Sequence, residues 1–132
     1  MSEELKDILV VEDDLDIQEI EKLSLSSVGG YSTTICGSGA EALKLLEQQI
    51  PQLVLLDVAM PEMDGPTILK IMRLSPKLAK IPVIFLTAKV QTKEIEEYEK
   101  MGVLGIISKP FDPMTLSETI LEMWKNHKSS NL

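Results

Sequence analysis

Apolar residues in this chain cluster in short runs separated by longer amphipathic stretches. Ile8-Leu9-Val10-Val11, Leu53-Val54-Leu55-Leu56, Val83-Ile84-Phe85-Leu86 and Leu104-Gly105-Ile106-Ile107 are almost continuously apolar. Such runs mark strands covered by helices on both faces. Another run, Tyr31 to Cys36, is rich in β-branched residues but more polar, which suits a strand at a sheet edge. The expected strands are 7–11, 31–36, 53–57, 82–86 and 103–108.

The intervening stretches predict helices. The first covers about 14–28, and Gly29-Gly30 can end it in the left-handed conformation. Ser38 and Glu41 have capping-box spacing; Leu43, Leu46 and Ile50 then share one face until Pro51 stops the helix. The third helix, about 66–74, carries Ile68, Ile71 and Met72 at the spacing of a buried stripe. The fourth, about 92–101, is highly charged, with a thin apolar face of Ile95, Tyr98 and Met101, and ends at Gly102. Asp112-Pro113 supplies a capping acid and a proline for the first position of the last helix, which then shows Leu116, Ile120, Met123 and Trp124. Alternating strands and helices predict an α/β fold, a (βα)5 doubly wound parallel sheet with right-handed crossovers. The flavodoxin-like strand order 2-1-3-4-5, one of the two common ones, is expected. Residues 1–132 are expected to form one domain, with its core at about 5–126 and a fraying tail at 127–132.

In an open parallel sheet, side chains at the carboxyl ends of the strands converge on one crevice. Here the first strand runs into Glu12-Asp13-Asp14, the third ends in Asp57, the fourth in Thr87, and the fifth meets Lys109-Pro110. Each residue alone has an ordinary explanation. The acids after Val11 suit the positive end of a helix dipole, and Asp57 can cap a turn. Lys109 can be a surface lysine and Thr87 a plain strand residue. Together they are harder to dismiss. Glu12, Asp13 and Asp57 cannot all stay ionised at close range without compensation. Mg2+, a hard, oxygen-seeking cation, is the natural compensator. Lys109 can neutralise charge and hold a phosphoryl oxygen, and the Thr87 hydroxyl can donate to another.

Composition narrows the function. A chain of 132 residues is near the usual single-domain size. With 13 basic residues against 21 acidic ones and a net charge of −8, direct nucleic-acid binding is not expected. No apolar stretch approaches the roughly 18 residues of a membrane span, and the acidic Met1-Ser2-Glu3-Glu4 start is unlike a secretory signal. The single Cys36 cannot form an internal disulfide and reads as a small core residue. A reducing, cytoplasmic location is expected.

The motifs in order are Glu12-Asp13, Asp57 with Met60-Pro61-Glu62-Met63-Asp64-Gly65, Thr87-Ala88 and Lys109-Pro110-Phe111. This set resembles the receiver domain of two-component response regulators over about residues 5–126. The resemblance implies that Asp57 is the phosphoacceptor. It implies Asp13 as a direct Mg2+ ligand, Glu12 as one acting through water, and the Ala59 carbonyl as a further ligand beside Asp57. Thr87 and Lys109 would hold phosphoryl oxygens, and the Lys109-Pro110 peptide would be cis. The implied function is a signalling switch. It takes a phosphoryl group from the phosphohistidine of a sensor histidine kinase or a histidine phosphotransfer protein, then changes its affinity for a downstream protein. No turnover of an external substrate is implied. The only histidine, His127, reads as a solvated residue outside the crevice, so the donor is another protein. Both a stand-alone regulator and a receiver cut from a longer protein fit.

Rival classes fit less well. A haloacid-dehalogenase-like phosphatase wants a second acid two residues after the nucleophile, where this chain has Ala59. A flavodoxin needs a Ser/Thr/Gly phosphate loop after the first strand, where Glu12-Asp13-Asp14 stands. A receiver used only as an interaction module would be expected to lack a key residue.

Three features are particular to this chain. Ile106 stands where the family usually carries an aromatic ring; it is either a packed strand residue or a sign that signalling relies on the loop after Thr87. Ala59 and Lys89, each two residues past a key position, are expected to tune dephosphorylation. The face formed by the fourth helix, fifth strand and fifth helix, the family's usual signalling surface, offers Glu94, Glu96, Glu97, Tyr98 and Trp124.

Overall fold

The computed structural model describes residues 3–88 and 91–130. Its strands are β1 (Asp7–Val11), β2 (Ser32–Cys36), β3 (Leu53–Asp57), β4 (Val83–Thr87) and β5 (Gly105–Ser108). They form one parallel sheet in the order β2-β1-β3-β4-β5. Order and class are as expected, and the more polar β2 lies at an edge. Helices α1 (Leu15–Lys22), α2 (Gly39–Gln48), α3 (Gly65–Leu74), α4 (Thr92–Lys100) and α5 (Leu116–Ser130) connect and follow the strands.

Strand side chains alternate between two cores, because successive residues point to opposite faces. Leu9, Val11, Val54, Leu56, Val83 and Phe85 pack against α2 and α3, with Tyr98 and Met101 from the α4 region at the margin. Ile8, Val10, Leu53, Leu55, Ile84 and Leu86 pack against Leu25 and against Leu116, Ile120 and Trp124 of α5. Each fully buried side chain of this kind stabilises the fold by about 1.5–3 kcal/mol relative to exposure. β3 and β4 are buried along their whole length, as their unbroken apolar runs require.

The helices depart from the sequence pattern in instructive ways. α1 continues as a π-helical segment, Leu23–Val28, whose wider winding is closed by the Gly29 N–H donating to the Ser24 carbonyl at 3.0 Å. Gly30 then takes the left-handed conformation (φ 77°). The α1 helix also turns polar residues inward: Glu21 and Ser24 are buried, whereas Leu15, Ile20 and Leu23 face solvent. In α2 the Ser38 hydroxyl accepts from the Glu41 N–H, but the Glu41 carboxylate reaches Gly37 rather than Ser38. That helix ends before Ile50, which precedes Pro51 and is 46% exposed. A residue before proline is pushed out of the helical region, so Ile50 leaves the face it was expected to share. In α3 the buried stripe is Ile68, Leu69 and Met72, with Ile71 38% exposed.

Trp124 also departs from expectation. It is 3% exposed, inside the α1/α5 core, and its indole N–H donates to the Glu3 carbonyl at 2.9 Å. It therefore does not belong to the surface offered by α4 and β5. α5 starts at Leu116, and Asp112 caps the turn before it by accepting from the Met114 N–H.

Candidate functional site

The carboxyl ends of β1, β3, β4 and β5 bring the polar residues together. Asp57 is the last residue of β3 and Thr87 the last of β4; both are buried. Glu12 directly follows β1, stays tied to β2 through its N–H to the Cys36 carbonyl at 3.0 Å, and is fully buried. Lys109 follows β5, and its N–H donates to the Thr87 carbonyl at 2.8 Å. The Lys109-Pro110 peptide is cis. Sheet pairing thus sets these side chains side by side: Asp57 lies opposite Leu86, and Thr87 opposite Ser108.

The Lys109 ammonium lies 3.0 Å from Glu12 Oε1 and 3.1 Å from Asp57 Oδ1. Asp57 Oδ1 also accepts from the Ala59 N–H at 3.3 Å. Ala59 itself is exposed at the pocket rim. Oxygens of Glu12, Asp13 and Asp57 all lie within 4.8 Å of one another, with Asp13 exposed and the other two buried. Asp14, the third acid of its run, has another task. It caps α1, its carboxylate accepting from the Asp16 and Ile17 N–H groups.

The loop after β3 is held tightly. The Val58 N–H donates to the Leu86 carbonyl, and the Gly65 N–H to the Val58 carbonyl, each at 3.0 Å. A Cβ on Gly65 would stand 2.7 Å from the Asp57 carbonyl oxygen and 3.0 Å from the Val58 Cα. Only glycine lets α3 start this close to the strand end. Asp64 caps α3 by accepting from the Thr67 N–H at 2.9 Å, and Pro66 sits in its first turn.

Burial above all, and then Asp57, push the Glu12 carboxyl up to about 7, although Lys109 pulls it down. Burial works against the charged form of Lys109, yet its ion pairs with Glu12 and Asp57 outweigh that and raise its pKa. Glu21 was not foreseen. It is buried on α1 close to this cluster, and burial, followed by the charge of Glu12, pushes its carboxyl up to about 8. A signal was present in the sequence: Ile17, Glu21 and Leu25 are spaced four apart, so an inward-facing Ile17 and Leu25 carry Glu21 inward too.

The donor set suits a hard divalent cation. Three carboxylates, two of them buried, converge with one ammonium among them, so the acids outnumber the base that faces them. Lys89 lies outside the described residues. His127 is half-buried. It lines a hollow with Arg73, Pro82 and Gly102, and Pro82 precedes β4, at the opposite end of the sheet from the acids.

A flavodoxin-like α/β sheet with acids, a hydroxyl and a lysine gathered on its carboxyl edge is the architecture of CheY-type proteins. The chain aligns with the chemotaxis response regulator CheY4 of Vibrio cholerae at a TM-score of 0.83 and 27% identity, covering 91% of this chain and 99% of that one. A putative response regulator from Chloroflexus aurantiacus aligns at 0.83 and 28%, covering 92% and 99%. Residues 8–121 match the response regulator receiver domain family, and the chain belongs to it. Among curated relatives, an uncharacterised 14.6 kDa protein of Leptolyngbya boryana is 38% identical over 110 residues, 83% of each chain. The probable transcriptional regulator ycf29 of Porphyra purpurea is 44% identical over 91 residues, 69% of this chain and 44% of that protein. The response regulator Rre1 of Synechocystis is 28% identical over 94% of this chain and 54% of its own length. The match thus spans most of the first relative but only about half of the other two.

Proposed function

We propose that this receiver is a phosphorylation-dependent signalling switch whose phosphoacceptor is Asp57. The observation that carries the proposal is the convergence of Glu12, Asp13, Asp57 and Lys109 on one pocket, with Lys109 bridging two of the acids. An Asp57 carboxylate oxygen attacks the phosphorus of a phosphohistidine on a sensor histidine kinase or a histidine phosphotransfer protein. The new O–P bond forms as the P–N bond breaks, and the imidazole leaves with the electron pair and takes up a proton. The product is an acyl phosphate on Asp57.

Such a transfer depends on positioning and charge stabilisation more than on covalent assistance. The Ala59 N–H and Lys109 hold Asp57 Oδ1 in place. Lys109 is then placed to pair with a phosphoryl oxygen, and the Thr87 hydroxyl, at the adjacent strand end, to donate to another. Glu12, Asp13 and Asp57, with the Ala59 carbonyl, would hold Mg2+, which supplies positive charge against the transferring group. The protein turns over no external substrate in this scheme, and residues 1–132 act as one receiver unit. Net charge −8 sets direct nucleic-acid contact aside. No helix among the described residues is long and apolar enough to cross a membrane, in keeping with a cytoplasmic role.

The downstream protein would dock on the α4–β5–α5 face. None of the residues of α4 is buried, so the helix is lightly held and suited to shift. Between it and β5 lies a hollow of about 440 Å³ bordered by Ile95, Glu99, Leu104 and Ile106. Ile106 packs on the α2/α3 core beside Phe85, and the Phe85 ring meets Tyr98 edge-on at 5.3 Å. Phe85 stands two residues before Thr87, so a change at Thr87 has a packed route to α4 that needs no aromatic ring at 106.

Incubation with a small phosphodonor and Mg2+, followed by intact-protein mass spectrometry, tests the proposal. A single phosphate adduct is expected, absent in Asp57→Asn and in the presence of a chelator. An adduct that persists in Asp57→Asn would overturn it.

A further inference from the structure

Apart from Ile50, the large apolar side chains exposed among the described residues gather in two places. The first is α1 with the π-helical segment after it. Leu15, Glu19 and Leu23 stand four apart, so they lie one above another on the solvent side, with Asp16 and Ile20 beside them. Leu15 is 74% exposed and Leu23 58%. Met114 is carried to the same side, because the Ser24 hydroxyl donates to the neighbouring Pro113 carbonyl at 2.6 Å. Exposed Asp13 and Asp14 extend the acidic charge past the helix start, and one base, Lys22, stands at the margin.

The second is the carboxyl-terminal half of α3. Ile71 and Leu74 face solvent there, and Leu74, 86% exposed, lines a hollow of about 450 Å³ with Leu69, Lys70, Arg73 and Met101. Charge around it has the opposite sign. Residues 65–93 hold six of the 13 bases and none of the 21 acids. Arg73 is spent within the chain, its guanidinium donating to the Ala79 and Ile81 carbonyls at 2.9 Å each. Lys70 and Lys77 are exposed, and among the described residues no acid pairs with either, nor any base with Asp16 or Glu19.

Single apolar residues on a surface are ordinary, whereas grouped ones rimmed by polar residues mark interaction sites. Leu25, on the continuation of α1, packs into the core shared with α5, and Ile68 and Leu69 of α3 pack into the core on the other face of the sheet. The two patches therefore lie on opposite sides of the molecule and cannot meet within one chain.

We propose that this chain associates with itself head to tail: the acidic, apolar face of α1 in one copy seats on the basic, apolar hollow of α3 in the next. A second copy is the occupant because both halves of the match, apolar on apolar and acid on base, stand on this one sequence. Charge also fixes the pairing. Two α1 faces together would set Asp16 and Glu19 against their own kind, two α3 faces Lys70 and Lys77, and like charges facing each other suppress such contacts. A contact between unlike patches leaves one of each free at the ends, so association continues unless a ring closes. One helix face on one hollow falls below about 1,200 Å², so the contact is weak, with a dissociation constant on the order of 0.1–1 mM. It needs neither Mg2+ nor a phosphoryl group, and so stands apart from the phosphoacceptor scheme.

The test is equilibrium sedimentation of the unphosphorylated protein from about 20 µM to about 1 mM in about 0.15 M salt. The weight-average mass of wild type is expected to rise about 1.5-fold or more over that range. Leu74→Glu removes the hollow's lip, and the double variant Leu15→Gln, Leu23→Gln removes the apolar part of the α1 face. These residues are exposed, so both proteins should fold, which circular dichroism checks; Ile71→Glu and Ile20→Gln stand in for either that does not. Each variant alone is expected to stay monomeric. An equimolar mixture of the two is expected to form a dimer and nothing larger, because one sound pair of faces remains. A wild type that is monomeric at about 1 mM overturns the inference and leaves the two faces to other proteins. A variant that associates alone as wild type does, or a mixture that stays monomeric, overturns it as well.

Discussion

Gly65→Ala tests whether the close approach of α3 to the tip of β3 is what places Asp57. The new Cβ would lie 2.7 Å from the Asp57 carbonyl oxygen, 3.0 Å from the Val58 Cα and 3.3 Å from the Asp57 carbonyl carbon. All three are backbone atoms, so no side chain can rotate away and the strand end or the helix must move. Overpacking of this sort costs about 1–3 kcal/mol. Alanine's helical advantage over glycine is at most about 1 kcal/mol, and less at the first residue of a helix, so the steric term wins. The urea midpoint is expected to fall accordingly, and the melting temperature by about 3–10 °C. Function should suffer more than stability, because a shift of about 1 Å at a reacting group can slow a positioned reaction up to about a hundredfold. The assay pairs urea denaturation with the rate of phosphate-adduct formation from a small phosphodonor. Gly30→Ala is the control. It has the left-handed φ of 77° but nothing within 4 Å of its Cβ, so it should lose about 1 kcal/mol and keep the wild-type rate. A Gly65→Ala protein with wild-type midpoint and wild-type rate would refute the packing account.

Further expectations concern charge, the cation and the core. In the metal-free protein the folded Glu21 carboxyl keeps its proton up to about pH 8, whereas the unfolded one loses it near 4.5. Between those values the folded state binds more protons, so rising pH erodes stability. Glu21→Leu should therefore gain on wild type from about pH 5 to about pH 8, by on the order of 3 kcal/mol; a gap between their urea midpoints that stays constant with pH would contradict this. Asp13→Asn changes an exposed acid, so stability should stay within about 0.5 kcal/mol while Mg2+ affinity falls about tenfold or more; undiminished binding in a Mg2+ titration followed by backbone amide NMR shifts would remove Asp13 from the ligand set. Trp124→Ala should cost about 3–5 kcal/mol, since the ring is buried and its N–H ties down the Glu3 carbonyl. Loss of partner binding in that variant without loss of stability would return Trp124 to the docking face.

Much of this protein was legible along the chain, because a strand covered on both faces must be apolar throughout and gives way to polar residues where it leaves the sheet. The runs ending at Val11, Leu56, Leu86 and Ile107 announced a doubly wound sheet, and the polar residues just beyond them named its pocket before any geometry was known. Periodicity was weaker on the helices. It placed Ile50 and Ile71 inside, where the structure exposes both, while the expected docking face took in Trp124, which the structure buries. A helix's rotation is settled by packing with neighbours far away in sequence, and a local pattern holds no record of them. Asp13 and Asp14 look alike on paper, yet one faces the pocket and the other caps α1. Glu21 shows the same limit at its sharpest. It sits on a charged helix whose apolar residues Leu15, Ile20 and Leu23 look like the inward face, and although its spacing with Ile17 and Leu25 points the other way, it is the assembled fold that turns those leucines and Ile20 outward and buries this carboxyl.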